Sequence, residues 1–173
     1  MSPGSPPAGR SASPPVRPGG EADLFRHVMS ELPSGVTVVT TMSPAGPTGM
    51  TVSAVTSLSL RPALLLICLA NGSGTLARVL QRGAFAVNVL GSSMAETSLV
   101  FAQRPPHERF AGTGHRLHDG LPLLNGAVAW ATCRVTITYP GGDHTIVVGA
   151  VTGAARHGGD PLVRHRGTYR PLG

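Results

Sequence analysis

The chain has 173 residues, 41% of them hydrophobic and only 13% charged; this composition gives one domain with a real aliphatic core and excludes a chain that is disordered throughout. Its 14 basic residues are all arginine, against 8 acidic ones, for a formal net charge of +6. The arginines are scattered from Arg10 to Arg170 without a run or a stripe, so they build no nucleic-acid face, and no apolar run reaches the roughly 18–20 residues that span a bilayer.

Residues 1–20 (MSPGSPPAGRSASPPVRPGG) hold one sizeable aliphatic after the initial methionine, Val16. Such a stretch cannot bury enough surface to offset its ordering entropy and is expected to be a disordered tail. It lacks the apolar centre of a signal peptide, so the chain reads as cytoplasmic. Residues 21–32 predict a short amphipathic helix. Leu24, Phe25, Val28, Met29 and Leu32 share one of its faces, and Pro33 and Gly35 stop it. Residues 35–42 (GVTVVTTM) are rich in β-branched side chains and predict a strand. Residues 43–49 (SPAGPTG) read as a long turn, and a second strand from Met50 completes a hairpin.

Ala63–Ala70 (ALLLICLA) is apolar throughout and predicts a strand covered on both faces. Residues 71–74 (NGSG) form a tight loop, and residues 75–81 a short helix that Gly83 stops. Residues 84–90 (AFAVNVL) predict another strand. Ser93 and Glu96 have the spacing of a capping box, opening a helix to about Ala102. Residues 103–121 are polar and rich in Pro, Gly and His, and read as loop. Three strand runs follow, at 126–139, 144–157 and 162–169, the first two separated by a turn at 140–143. Strands joined by short turns, with few helices between them, argue against a doubly wound parallel sheet. They suit a mainly β, Greek-key barrel with short helices packed outside.

The chain carries no Gly-x-Gly-x-x-Gly after a strand, no Walker A loop, and no zinc-hydrolase or nucleophile-elbow motif. Cys68 and Cys133 stand alone in apolar runs, which points to buried free thiols rather than a disulfide or a metal site. Four segments remain. Residues 49–59 carry five hydroxyl side chains between two apolar strands. Strand alternation puts Thr51, Ser53, Ser57 and Ser59 on one side, either as an ordinary half-exposed strand or as a wall for a ligand rich in oxygen and nitrogen. Ser73 and Thr75 open a helix after a Gly-rich turn, where unpaired amides and the helix dipole favour an anion. Arg78, one turn on, adds a charge; the plain alternative is an N-cap. His144 follows the Gly142-Asp143 turn and leads into an apolar strand. The last segment is residues 165–169 (HRGTY), either a strand-end cation and stacking ring or simple surface.

These segments stand in the order found in one family. The chain resembles the flavin reductase-like domain of two-component monooxygenases over about residues 24–172. The resemblance rests on residues 25–28 (FRHV), 34–41 (SGVTVVTT), 49–60 (GMTVSAVTSLSL), 84–90 (AFAVNVL), 109–112 (RFAG), 142–144 (GDH) and 165–169 (HRGTY). It implies a split β-barrel of the FMN-binding type over residues 21–173, commonly a homodimer. The implied activity is NAD(P)H-dependent reduction of FMN, or of FAD, supplying reduced flavin to a partner monooxygenase. Its carried-over site has Thr51, Val52, Ser53 and Ala54 along the isoalloxazine, with Ser57, Leu58 and Ser59 continuing toward the ribityl chain. Ala70, Ser73 and Thr75 hold the phosphate, and Tyr169 and the catalytic candidate His144 face the nicotinamide, NADH or NADPH. A flavin-binding electron carrier without rapid nicotinamide turnover is the alternative within this fold. A basic nucleic-acid-binding barrel is the alternative outside it, and the scattered arginines and scarce aromatics weigh against that.

Overall fold

The computed structural model describes residues 20–170 and 172. The expected tail at residues 1–20 therefore lies outside the described residues, apart from Gly20. The elements in chain order are α1 (Gly20–Ser30), β1 (Ser34–Gly35), β2 (Thr37–Ser43), β3 (Gly46–Val52), β4 (Val55–Leu60) and β5 (Ala63–Ala70). Then come α2 (Gly74–Arg82), β6 (Ala84–Val89), α3 (Ala95–Gln103) and a 3-10 turn (Pro106–Glu108). The chain closes with β7 (His115–His118), β8 (Leu121–Leu124), β9 (Ala129–Gly141), β10 (His144–Arg156), β11 (Val163–His165) and β12 (Thr168–Arg170). Among the described residues no helix is long and apolar enough to cross a membrane.

One seven-stranded sheet, in the order β3-β2-β6-β9-β10-β5-β4, makes the body of the domain, and all its pairings are antiparallel. Its two edge strands, β3 and β4, are consecutive in sequence and joined only by Ser53 and Ala54. From Val52 to Val55 the chain reaches at most about 11 Å, so the sheet must curl until its edges nearly meet. The result is a barrel split along one line, the mainly β architecture expected. A small sheet, β1-β11-β12, and the β7-β8 hairpin stand beside it.

Four local expectations give way to tertiary structure. The long turn at 43–49 is a tight one at Pro44 and Ala45, and Gly46 to Gly49 already pair with β2. Pro47 is tolerated there because β3 is an edge strand, where a missing N–H costs no ladder bond. The Ser93–Glu96 capping box does not form: the N-cap of α3 is Met94, with no side-chain cap bond. A turn in which Met94 N donates to Gly91 O at 2.9 Å, together with burial of the Met94 side chain, sets that entry instead. The loop at 103–121 contains the 3-10 turn, β7 and the start of the β7-β8 hairpin. Asp119 and Gly120 turn that hairpin with φ of 50° and 73°, the left-handed pair that an Asp-Gly signal marks. The run at 162–169 is a second hairpin of the same kind, turned by Arg166 and Gly167.

The main apolar core lies between the sheet and α2, around Phe85, Ile67, Leu69, Val79 and Val147. One buried polar junction interrupts the apolar packing elsewhere. Asn88, fully buried in β6, donates to Val38 O and Thr40 Oγ1, each at 3.1 Å, and accepts from Leu124 N at 2.8 Å. Thr40 Oγ1 donates in turn to Pro122 O at 2.5 Å. Every partner is satisfied, so the junction fixes β8 against β2 and β6 without leaving an orphaned polar group.

At Gly149, between two register shifts, β10 passes against the Phe85 ring. A Cβ there would lie 2.7 Å from Phe85 Cζ and 2.8 Å from Cys133 Cβ. Gly149→Ala is therefore expected to overpack the core at a cost of about 1–3 kcal/mol, a fall in Tm of roughly 2–12 °C. Thermal unfolding checks this, and an unchanged Tm would mean that the ring yields freely.

Candidate functional site

The curled sheet encloses a trough of about 750 Å³ on one face, within the roughly 300–1,000 Å³ usual for small-molecule sites. Its floor is apolar and built from short side chains, Val87 of β6, Ala129 and Ala131 of β9, Val151 of β10 and Leu65 of β5. Ser53 of the β3-β4 link and Thr56, Ser57 and Ser59 of β4 line it at the split. Strict alternation does not produce this row, because the β4-β5 register shifts between Ser57 and Ser59 and leaves Leu58 bulged and 49% exposed. The bulge brings Thr56 into the row. The arrangement suits a flat body that is apolar on its faces and polar along one edge.

Thr51 does not line the trough. It faces an adjoining cavity of about 320 Å³ with Ser53, Ser98, Arg164 and Tyr169. Ser53 lines both spaces. Thr51 Oγ1 donates to Ser98 O at 2.7 Å, and Tyr169 Oη to Ser98 Oγ at 2.8 Å. Buried Ser98 thus joins β3, α3 and β12. Val52 turns its side chain into the core, and its carbonyl accepts from Thr37 Oγ1 at 2.5 Å. Upstream, Gly49 has no room for a side chain: a Cβ would lie 2.7 Å from Val39 O. Its carbonyl accepts from Arg109 Nη1 at 2.8 Å, while Arg109 Nε donates to Arg104 O at 2.8 Å. Burial lowers the Arg109 pKa below its ordinary value, but an arginine stays charged at neutral pH.

The segments after β5 and before β10 meet at the other end of that strand pair. Ala70 is the Cα partner of His144. Ser73 caps α2, accepting from Leu76 N at 3.2 Å, and its own hydroxyl donates to Met50 Sδ at 3.2 Å. Thr75 is buried at 2% exposure. Arg78 turns away from the helix start and donates to Gln81 Oε1 at 2.8 Å. Cys68 N donates to Ala54 O at 3.0 Å, which holds the β3-β4 link against β5. The structure thus brings residues 50–54, 70–75 and 142–144 into one neighbourhood. Tyr169 sits instead with Thr51 and Ser98, not beside His144. Ala70, Ser73 and Thr75 do not line the large trough.

Three contributors carry no distinct signal of their role in the sequence: Ser98, Arg109 and Asn71. Arg109 was visible only as part of a motif, and Ser98 carries no signal that separates it from any other helix serine. Asn71 bonds across to the residues around His144, a pairing 71 or more positions away. Cys133 is chemically quiet, its thiol pushed up to about 12 by burial. Among the described residues no group of three or more His, Cys, Asp or Glu is placed to hold a metal.

His144 Nδ1 lies 2.7 Å from Asp143 Oδ1. A carboxylate can only accept, so Nδ1 carries the hydrogen and Nε2 takes no part in that bond. The hydrogen bond from His144 first, and its charge second, hold the Asp143 carboxyl below its ordinary 3.8. A depressed carboxylate favours the folded form above the unfolded-state value, and that contribution disappears as pH falls through the folded-state value. Carbon-detected NMR titration is expected to place the Asp143 midpoint below 3.8, and His144→Ala should return it to the ordinary value. A wild-type midpoint already at the ordinary value would mean that the pair does not persist in solution.

Comparison with known proteins gives the family. The flavin reductase like domain matches residues 29–173. The chain is 43% identical over 155 residues to a flavin reductase (NADH) of Kitasatospora aureofaciens, covering 86% of this chain and 81% of the relative. It is 40% identical over 147 residues to the reductase component of the 4-nitrophenol 4-monooxygenase/4-nitrocatechol 2-monooxygenase of Rhodococcus opacus, covering 84% and 78%. Among solved structures, the NADH:FAD oxidoreductase of Streptomyces globisporus C-1027 superposes with a TM-score of 0.84 at 35% identity, over 97% of this chain and 99% of that one. A split barrel with a hydroxyl-lined trough, matched over most of its length by these proteins, belongs to the flavin reductase like domain family.

Proposed function

We propose that this chain is an NAD(P)H-dependent flavin reductase that takes FMN, with FAD admitted, and supplies reduced flavin to a partner monooxygenase. The observation that carries the reading is the trough at the barrel split, with its apolar floor and hydroxyl edge. A flavin ring has apolar faces and a heteroatom-rich edge, so the residues present fit the group. When bound, the flavin supplies the hydride-accepting chemistry itself, which is why no acid–base pair is needed here.

The protein's part is to bind, orient and exclude water. In this reading Ser53, Ser57 and Ser59 donate to the ring edge and ribityl hydroxyls, and Val52, Ala54 and Leu58 shape the backbone around them. Thr51 is held by Ser98 and fixes the start of that wall. The first-turn amides of α2 receive the phosphate beside Ala70, Ser73 and Thr75. The Ser73 hydroxyl now donates to a thioether, a weak acceptor, and a phosphate oxygen would take that donor in preference. His144 Nε2, 44% of its side chain exposed, meets the nicotinamide carboxamide, and Tyr169 closes the adjoining cavity.

Assembly follows from what is left uncovered. Leu24, Phe25 and Val28 on α1, and Leu32 just after it, are each 59% exposed or more among the described residues, a cluster of large apolar side chains that suits an interface. A second copy of the chain covers it, giving a homodimer. The partner monooxygenase receives reduced flavin by diffusion or docking, and the nicotinamide donor and unpaired thiols suit the cytoplasm.

Ser73→Ala is expected to weaken FMN binding by roughly 10- to 100-fold, since a hydrogen bond to a charged group contributes about 1.5–3 kcal/mol, while riboflavin binding changes little. Fluorescence titration with both flavins reads the difference, and an equal loss for the two would remove the phosphate role. His144→Ala is expected to raise KM for NADH and lower kcat modestly while leaving FMN affinity near wild type. Steady-state NADH oxidation with added FMN reads this. A matched fall in kcat and kcat/KM would mark a contact made in the transition state, and wild-type constants would make His144 a plain turn residue.

A further inference from the structure

Three hydrogen bonds tie one exposed side chain and its backbone to both sides of His144. Asn71 N donates to Asp143 O at 3.0 Å, and Asn71 Nδ2 donates to Gly142 O at 3.0 Å. Asn71 Oδ1 accepts from Thr145 Oγ1 at 2.8 Å. The partners are residues 142, 143 and 145, so the loop that leads into α2 grips the turn just before and just after the histidine. Gly142, with φ of 72°, gives that turn its left-handed corner. Asp143 then orients the imidazole ring.

We infer that Asn71 is the positioning residue that sets His144, and with it the nicotinamide side of the site, at a fixed distance from the α2 N-terminus; the inference rests on the reading of His144 given above. Only a short side chain that carries one donor and one acceptor can do this. Aspartate offers two acceptors and would face the Gly142 carbonyl with negative charge. Alanine keeps the backbone bond and loses the other two. The core does not need these bonds: Asn71 and Gly142 are exposed, and β5 and β10 remain paired over seven residue positions without the latch. A residue that stabilises little and yet holds a single turn from both sides acts on geometry rather than on folding. Ser73 follows Asn71 by two residues, and its N–H donates to Ala70 O at 2.9 Å, a turn bond that does not involve the Asn71 side chain and that holds the α2 cap independently of the latch.

The test is a kinetic cycle on the full chain with NADH and FMN, reading kcat and KM separately. Asn71→Ala and Thr145→Val are each expected to lower kcat/KM for NADH about 10-fold, with Tm and FMN affinity close to wild type. Thr145→Ser, which keeps the hydroxyl, should restore the constant. In a His144→Ala background, Asn71→Ala should change kcat/KM for NADH less than twofold, because a positioning residue has nothing left to position. Multiplicative losses in the double variant would overturn the inference, as would a wild-type constant for Asn71→Ala beside an impaired His144→Ala. Wild-type constants for His144→Ala would overturn the His144 reading itself, and the latch with it.

Discussion

Two residues, Ser53 and Ala54, connect the opposite edges of a seven-stranded sheet, and the shape of the molecule follows from that constraint. A flat sheet of this width would hold its edges tens of ångströms apart, at about 4.8 Å per strand spacing. The two-residue link permits about 11 Å between Val52 and Val55. The sheet therefore curls, the inner faces of six strands converge on a trough, and the link itself is drawn across the opening. The most hydroxyl-rich segment of the chain sits on the trough's edge because it runs through the split.

Pairing along β10 completes the arrangement. This strand lies between β9 and β5, and its register with β5 sets His144 opposite Ala70. The loop before α2 and the turn before β10 are thus neighbours, although more than 70 residues separate them. Asn71 turns that neighbourhood into a fixed spacing. On the far side of the split, Ser98 performs a similar office for Thr51 and Tyr169 with two short bonds, and Arg109 anchors the strand before Thr51 through the Gly49 carbonyl. The site is shaped mainly by backbone register and by polar side chains that touch other protein groups. Titratable groups contribute little, consistent with chemistry that resides in flavin and nicotinamide.

Several elements were legible because their signal is local. The apolar run at 63–70 pairs over its whole length, with β4 at 63–67 and with β10 at 64–70, and Gly83, with φ of 69°, ends α2 as expected of a glycine in the left-handed region. The Asp119-Gly120 hairpin was equally legible but lay inside a polar segment read as loop. The capping box at Ser93 failed for a different reason. Burial of Met94 and the Gly91 turn outweighed a cap of about 1 kcal/mol. Alternation along 51–59 was broken by the bulge at Leu58 and by the crossing between strands at Ser53 and Ala54, neither of which periodicity reveals.

The sequence by itself determined the element types, the mainly β class and the family, because β-branched runs, Gly turns and ordered motifs are written in neighbouring residues. It also marked residues 51–59, 70–75 and 142–144 as unusual. Only the tertiary structure decided how those segments meet: Ser53 on two cavities, Ser73 against Met50, Asn71 across the His144 turn, and Tyr169 with Ser98 rather than with the histidine. These contacts depend on strand order and register, which are set by the summed packing of the whole sheet and leave no trace in the spacing of any one segment.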